Sequence, residues 1–199
     1  MTNKDTAKKF WEGIVEYPVF GSKQRRLHEV VWLVPRLEGV ESLLDLGCGS
    51  GELLDLLLRM TDIKEFYGRD LSANLLAKVD KRVDTDVYDI YVGGKLPRVD
   101  AVVLGGVVQY IFEDDVILKL LESLDCTKLF VRSSCNSEEL AINRFSEEMG
   151  GEYSSRYMTL DHLLKLLSQS FTIVDVKRAY PDSIESKYGT KQWLVECTK

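Results

Sequence analysis

The 199-residue sequence predicts an α/β fold: a mostly parallel, seven-stranded sheet with helices on both faces. Three observations predict it. Short apolar runs alternate with amphipathic segments from residue 42 onward. The first of these runs ends in alternate glycines that open a helix. The last two runs are joined only by 179–191, with Pro181 and Gly189 inside. That connection is too short for a helical crossover, so the pair is expected to be an antiparallel hairpin at the sheet edge.

The elements follow in order. Residues 5–16 and 22–37 carry apolar positions at helical spacing, the second as Leu27, Val30, Val31, Leu33, Val34 and Leu37. Tyr17-Pro18-Val19-Phe20-Gly21 interrupts the pattern between them. Residues 42–46 form a short buried strand, 51–60 a helix and 65–69 a strand. Ser72 can cap a helix that runs to about Lys81, before strands at 86–90 and 101–104. Residues 113–123 read as a helix, its N-terminus suited by Glu113, Asp114 and Asp115. A strand at 128–132 precedes expected helices at 137–148 and 159–168, the latter capped by Thr159. Phe171 to Arg178 and Gln192 to Cys197 are the final strands. The sequence carries no internal repeat or linker, so one domain spans 1–199, with 1–40 as a helical cap over the site and 41–199 as the core.

Composition narrows the function. Lys and Arg total 26 against 32 Asp and Glu, and a net charge of −6 lacks the broad basic field of non-specific nucleic-acid binders. Residues 1–36 run against this balance, with seven basic and four acidic side chains, a local +3 suited to an anionic group. No apolar run reaches membrane-spanning length, and the polar start shows no signal-peptide core, so a cytoplasmic protein is expected. Cys48, Cys126, Cys135 and Cys197 show neither zinc nor redox spacing and read as reduced thiols. No metal site is expected.

The informative stretch is Leu43-Leu-Asp-Leu-Gly-Cys-Gly-Ser-Gly-Glu-Leu53. Glycines at 47, 49 and 51 allow positive φ and close approach of a ligand to the backbone. In an open parallel sheet this loop lies where ligands bind, beyond the carboxyl ends of the strands. Asp70 ends the next strand, 23 residues after Gly47, where an acid accepts both ribose hydroxyls. The dinucleotide pattern GxGxxG would put its third glycine at position 52, which is Glu52. Asp45 would also repel a diphosphate and attract an amine. A ligand with a ribose, an α-amino group and no diphosphate fits better than NAD, and S-adenosylmethionine is such a ligand.

Asp45-x-Gly47-x-Gly49-x-Gly51 followed by Asp70 resembles the class I S-adenosylmethionine-dependent methyltransferases, and the likeness extends from about residue 40 to 199. The resemblance implies a Rossmann-like sheet of order 3-2-1-4-5-7-6 with strand 7 antiparallel. It implies S-adenosylmethionine as cofactor and S-adenosylhomocysteine as product. It places Gly47, Cys48, Gly49 and Gly51 around the methionine and ribose, Asp45 near the amino group, Asp70 on the ribose and Leu71 on adenine. Asp89 is the nearest match to the acid that binds the adenine amino group, although 89–94 departs from the family pattern. After the fourth strand, Gly105 and Gly106 leave room for the cofactor, and Gln109 and Tyr110 stand where relatives line the transferring methyl.

The acceptor end is less defined. Methyl transfer from a sulfonium is an in-line displacement in which positioning supplies much of the acceleration, and a weakly acidic acceptor also needs a base. That base is left open among His28, Tyr110 and a carboxylate; His162 reads as a packing or surface residue. The Asn/Asp-Pro-Pro-Tyr/Phe motif of amino-methylating DNA and glutamine enzymes is missing after the fourth strand, as is the Lys-Asp-Lys-Glu spacing of RNA ribose enzymes. Tyr17, Tyr110, Arg132 and Tyr157 are the acceptor candidates, with Trp11, Phe20, Tyr153, Lys187 and Tyr188 in the same variable segments. The expected activity is methyl transfer to an oxygen or nitrogen of a small polar molecule, a sugar or nucleotide-sugar being one that the basic N-terminus would suit. The competing readings are a cofactor-binding module without turnover and, with Glu52 against it, an NAD-dependent oxidoreductase. The oligomeric state is left open.

Overall fold

Leu43, Leu44 and Leu46 are the apolar run that buries β1 (Ser42–Leu46) at the centre of the sheet. A computed structural model describes residues 2–16, 22–147, 150–185 and 189–199. β1 pairs in parallel with β2 (Glu65–Asp70) on one side and β4 (Ala101–Gly105) on the other. Outward from these lie β3 (Asp84–Val87) beside β2, and β5 (Lys128–Cys135) beside β4. β9 (Lys191–Thr198) runs antiparallel between β5 and β8 (Thr172–Arg178). The order β3-β2-β1-β4-β5-β9-β8 is the expected 3-2-1-4-5-7-6 counted within this sheet, with the seventh strand antiparallel. The chain reverses direction across the sheet between β1 and β4, so a crevice opens beyond their carboxyl ends.

Alternation along the strands divides the core in two. Leu44, Leu46, Val102, Leu104, Leu129 and Val131 face α5 (Asp114–Ser123) and α6 (Leu160–Leu167), whose Ile117, Leu121, Leu163 and Leu167 close that side. Leu43, Val103 and Phe130 face the other way, against Leu33 of α2 (Ser22–Leu33) and Leu54 and Leu57 of α3 (Glu52–Met60). α6 starts as expected, with the Thr159 hydroxyl accepting the His162 amide. In α2 the stripe is narrower than the sequence suggests: Val30 and Leu33 are buried, whereas Leu27 and Val31 are exposed. Residues 34–37 tighten into a 3-10 turn at Pro35.

Two expectations fail. The segment 137–148 is not a helix. It supplies β6 (Leu140–Ser146), which pairs antiparallel with β7 (Gly151–Tyr157) as a separate two-stranded sheet. The glutamates there favour a helix, but Gly150 at φ 71° turns the chain and α1 (Asn3–Gly13) packs against β7. Phe10 meets Gly151 and stands edge-on to Tyr153, so long-range contact overrides local propensity. The helix after Ser72 is also cut to one turn, α4 (Ala73–Leu76), because the chain bends to pack Val79 beneath Gly51. The four cysteines are free and buried. Among the described residues no helix is long and apolar enough to cross a membrane.

Candidate active site

β1 delivers the chain into the glycine loop, and hydrogen bonds tie that loop to the end of β2. The Gly47 and Cys48 amides donate to the Arg69 carbonyl at 2.7 and 3.1 Å. The Gly49 amide donates to Asp70 Oδ2 at 2.8 Å, and the Ser72 amide to Asp70 Oδ1 at 2.9 Å. Burial raises the Asp70 carboxyl above its ordinary value, and these amide donors oppose the rise. Gly47 is dictated by space as well as by conformation. Its φ is 84°, and a β-carbon there would lie 2.2 Å from Val107 Cγ2.

Above this loop lies a cleft whose floor is Gly47, Cys48 and Gly49 on one side and Gly105 and Gly106 on the other. Asp70 and Leu71 stand between the glycine loop and the wall formed by Tyr88–Tyr91. Asp89 lies in that wall, its Oδ1 accepting the Tyr91 amide at 2.9 Å and its Oδ2 taking the Lys8 ammonium at 2.6 Å. Lys8, Ala7 and Trp11 bring α1 into the cleft, and Arg26 brings α2. The Tyr91 hydroxyl accepts the Phe112 amide and donates to the Tyr110 carbonyl, which fixes the 3-10 turn Val108–Tyr110. Tyr110 lines the cleft; its ring stands 4.8 Å from Trp11, and its hydroxyl is 3.1 Å from that of Tyr153.

Of the residues singled out in the sequence, Gly47, Cys48, Gly49, Asp70, Leu71, Asp89, Gly105 and Tyr110 line this cleft. Six do not. Asp45 is only 3% exposed and lies beneath the floor, where burial pushes its carboxyl up to about 7 against the pull of Arg26. Gly51 serves the scaffold: at φ 81° it caps α3, and a β-carbon would sit 3.1 Å from Val79 Cγ1. Gln109 is buried off the cleft because the 3-10 turn points Tyr110, not its neighbour, into it. Arg132 lies behind Gly105 and Gly106, donating from Nη2 to the Gly105 carbonyl at 2.9 Å. Tyr157 is buried in the β6–β7 hairpin, opposite Leu140. His28 lines a separate groove with Trp32, Arg36 and Tyr180, which removes it as a base at this cleft. His162 is held between Asp114 and Glu139, away from the cleft. Tyr17, Phe20, Lys187 and Tyr188 lie outside the described residues.

Sequence reasoning missed Lys8, Arg26 and the tyrosine wall at 88–91 as cleft residues. The local basic excess of residues 1–36 was the available signal, since Lys8 and Arg26 belong to it. Glu52 starts α3 at the cleft and pairs with Arg26 Nε at 3.5 Å. A carboxylate at that helix start is unfavourable to a diphosphate, which would otherwise seek the same amides. Among the described residues no group of three or more His, Cys, Asp or Glu is placed to hold a metal.

The arrangement offers a backbone floor, the Asp70 carboxylate beside it, an aromatic wall and the Arg26 guanidinium. Residues 44–124 match a family model described as a methyltransferase domain. No curated protein matches the sequence. A solved S-adenosylmethionine-dependent methyltransferase from Leishmania major is similar in fold, with a TM-score of 0.73 and 14% identity over 98% of this chain and 82% of that one. The 1,6-didemethyltoxoflavin-N1-methyltransferase of Burkholderia thailandensis gives 0.65 and 18%, over 90% of this chain and 80% of that one. The [4+2]-cyclase SpnF gives 0.67 and 19%, over 95% and 86%. The fold is that of the class I methyltransferases, as the glycine loop, Asp70 and strand pattern led us to expect.

Proposed function

We propose that this chain, a class I methyltransferase by its fold and its matched domain, uses S-adenosylmethionine to methylate an oxygen or nitrogen of a small polar molecule. One observation carries the reading. The glycine floor, where a β-carbon at Gly47 would run into Val107, is bonded through its Gly49 amide to a carboxylate at the end of β2. That carboxylate suits a ribose diol, and Glu52 beside the same floor disfavours a pyrophosphate.

The residues present fit the cofactor along its length. The Tyr88–Tyr91 wall and Leu71 offer apolar surface to a planar base. Asp70 accepts the ribose hydroxyls. Arg26 is the cleft cation suited to the carboxylate of the amino-acid end by its place: it pairs with Glu52, which starts α3 beside the glycine floor, whereas Lys8 pairs with Asp89 in the Tyr88–Tyr91 wall. When bound, the cofactor supplies a methyl group already activated on a sulfonium. The chain's task is then positioning. Trp11 and Tyr110 present ring surface to that cation and to the acceptor. The Tyr110–Tyr153 hydroxyl pair holds the Tyr110 ring and can order the acceptor's donor group. The acceptor's proton passes to water as its new bond to carbon forms, and the Tyr110 hydroxyl orients the acceptor by accepting its hydrogen bond.

Titration calorimetry with S-adenosylhomocysteine, followed by label transfer from methyl-labelled S-adenosylmethionine to a panel of hydroxyl and amine acceptors, tests this. Binding and a methylated product are expected. Tight binding of NAD with none of S-adenosylhomocysteine overturns the cofactor assignment. The similarity to a [4+2]-cyclase keeps a second outcome in view: binding without transfer to any acceptor would mark a fold used for another purpose.

A further inference from the structure

Behind the cleft floor, charged side chains from α2 and β5 pack together out of water. Glu29 of α2 is only 6% exposed. Its carboxylate accepts the Tyr180 hydroxyl at 2.6 Å and Arg26 Nη1 at 2.9 Å, and it forms an ion pair with Arg132 Nε. Arg132 also donates from Nη2 to the Gly105 carbonyl at 2.9 Å and from Nη1 to Gln192 Oε1 at 2.8 Å. Gly106, at φ 82°, leaves the space this guanidinium fills: a β-carbon there would lie 2.7 Å from Arg132 Nη2. One buried carboxylate therefore holds two arginines with different tasks. Arg132 backs the Gly105–Gly106 floor, and Arg26 reaches the cleft wall, where it also meets Glu52.

Burial alone would raise the Glu29 carboxyl, yet Arg132, Arg26 and the Tyr180 hydroxyl together hold it below the ordinary value. The charge is thus kept at a place where an apolar residue would pack at less cost. A purely structural role would need only the Arg132 pair. The Arg26 contact adds something else: it restricts a long, rotamer-rich side chain to one orientation at the cleft.

We infer that Glu29 is a positioning residue, which orients Arg26 toward the carboxylate at the amino-acid end of the cofactor while Arg132 fixes the floor behind it. This rests on the cofactor assignment proposed above. Its test compares two ligands on the full chain by calorimetry: S-adenosylhomocysteine, and 5′-methylthioadenosine, which lacks the amino-acid end. Glu29→Gln keeps the side chain's size and its partner for Tyr180 but removes the charge. It is expected to weaken S-adenosylhomocysteine by about tenfold or more, the range for loss of a charge-assisted hydrogen bond, and 5′-methylthioadenosine by less than about threefold. Arg26→Met, at the cleft wall, is expected to show the same selective loss, and the double variant no more than the larger single loss. If Glu29→Gln does not fold, Arg26→Met still exposes the inference to failure, since no selective loss there would overturn it. Equal losses for both ligands, no loss for either, or additive losses in the double variant overturn the inference. Failure of the unsubstituted chain to bind S-adenosylhomocysteine overturns the cofactor assignment instead.

Discussion

The two halves of the cleft are built from different materials. The half borne by β1, β2 and β4 is backbone: glycines at 47, 49, 105 and 106, and amides tied to Arg69 and Asp70 at 2.7 to 3.1 Å. The half added by α1, α2 and the β6–β7 hairpin is side chain. It consists of the Lys8–Asp89 pair, the Trp11–Tyr110–Tyr153 rings and the Arg26–Glu29 contact. The backbone half depends on what is missing from its side chains, so almost any addition damages it. The side-chain half can be rebuilt one residue at a time. In the proposed function the first half serves the cofactor; in the second, Arg26 also serves the cofactor, at its amino-acid end, and the Trp11–Tyr110–Tyr153 rings serve the acceptor.

The largest expected effect breaks the backbone half. Gly47→Val places a branched side chain at φ 84° and into Val107 Cγ2, 2.2 Å from the new β-carbon. Binding of S-adenosylhomocysteine should disappear by calorimetry, a loss of roughly 4 kcal/mol or more from steric overlap and strain combined. Affinity within threefold of the unsubstituted chain would remove the loop from the binding surface.

Asp45 sharpens the boundary between the halves, since it belongs to the loop's strand but lies among the charges behind it. Burial raises its carboxyl to about 7 from an ordinary 3.8, with Arg26 opposing and Glu29 and Asp70 adding to the rise. A raised carboxyl means that the folded state holds the proton between those two values while the unfolded chain releases it. Asp45 therefore lowers stability progressively as pH rises from about 4 to 7, by roughly 2–4 kcal/mol. Asp45→Asn should flatten that decline in thermal melts and be the more stable protein above pH 7. An unchanged profile would place the Asp45 carboxylate in a better-solvated site than the fold gives it.

Asp70→Ala should weaken S-adenosylhomocysteine by about 1–3 kcal/mol in calorimetry, through loss of a charged acceptor for the ribose diol. Equal affinity would mean that the diol lies elsewhere. The smallest effect belongs to the side-chain half. Tyr153→Phe removes the hydroxyl 3.1 Å from that of Tyr110, with an expected cost of about 0.5–1.5 kcal/mol. It should appear in turnover of the acceptor and leave cofactor affinity within twofold. A matching loss in cofactor affinity would erase the distinction between the halves.

The legibility of the sequence follows the same division. The leucines of β1, the alternate glycines and the acid ending β2 could be read because adjacent residues define them. Their spacing placed Asp70 beside the loop, and the short last connection placed β9 antiparallel. The hairpin at 140–157 could not be read, because the glutamate pairs that flank its first strand favour a helix until α1 packs against it. Asp45 read as an amine-facing acid, yet the pleat turned it under the floor. Gln109 and Tyr110 were equal candidates until a 3-10 turn separated them.

The sequence by itself determined the seven strands of the main sheet, the glycine floor and the carboxylate beside it, since these rest on local backbone conformation and on residues adjacent along one strand–loop–helix unit. Only the tertiary structure decided that Lys8 meets Asp89, that Glu29 holds Arg26 and Arg132 together, and that Tyr110 meets Tyr153. Those partners are 81, 3, 103 and 43 residues apart. Separation does not decide the matter, because even the three-residue pair acts at the cleft only through where α2 is docked. Which side chains meet is set by how packed elements bury their apolar faces, and no local pattern encodes that.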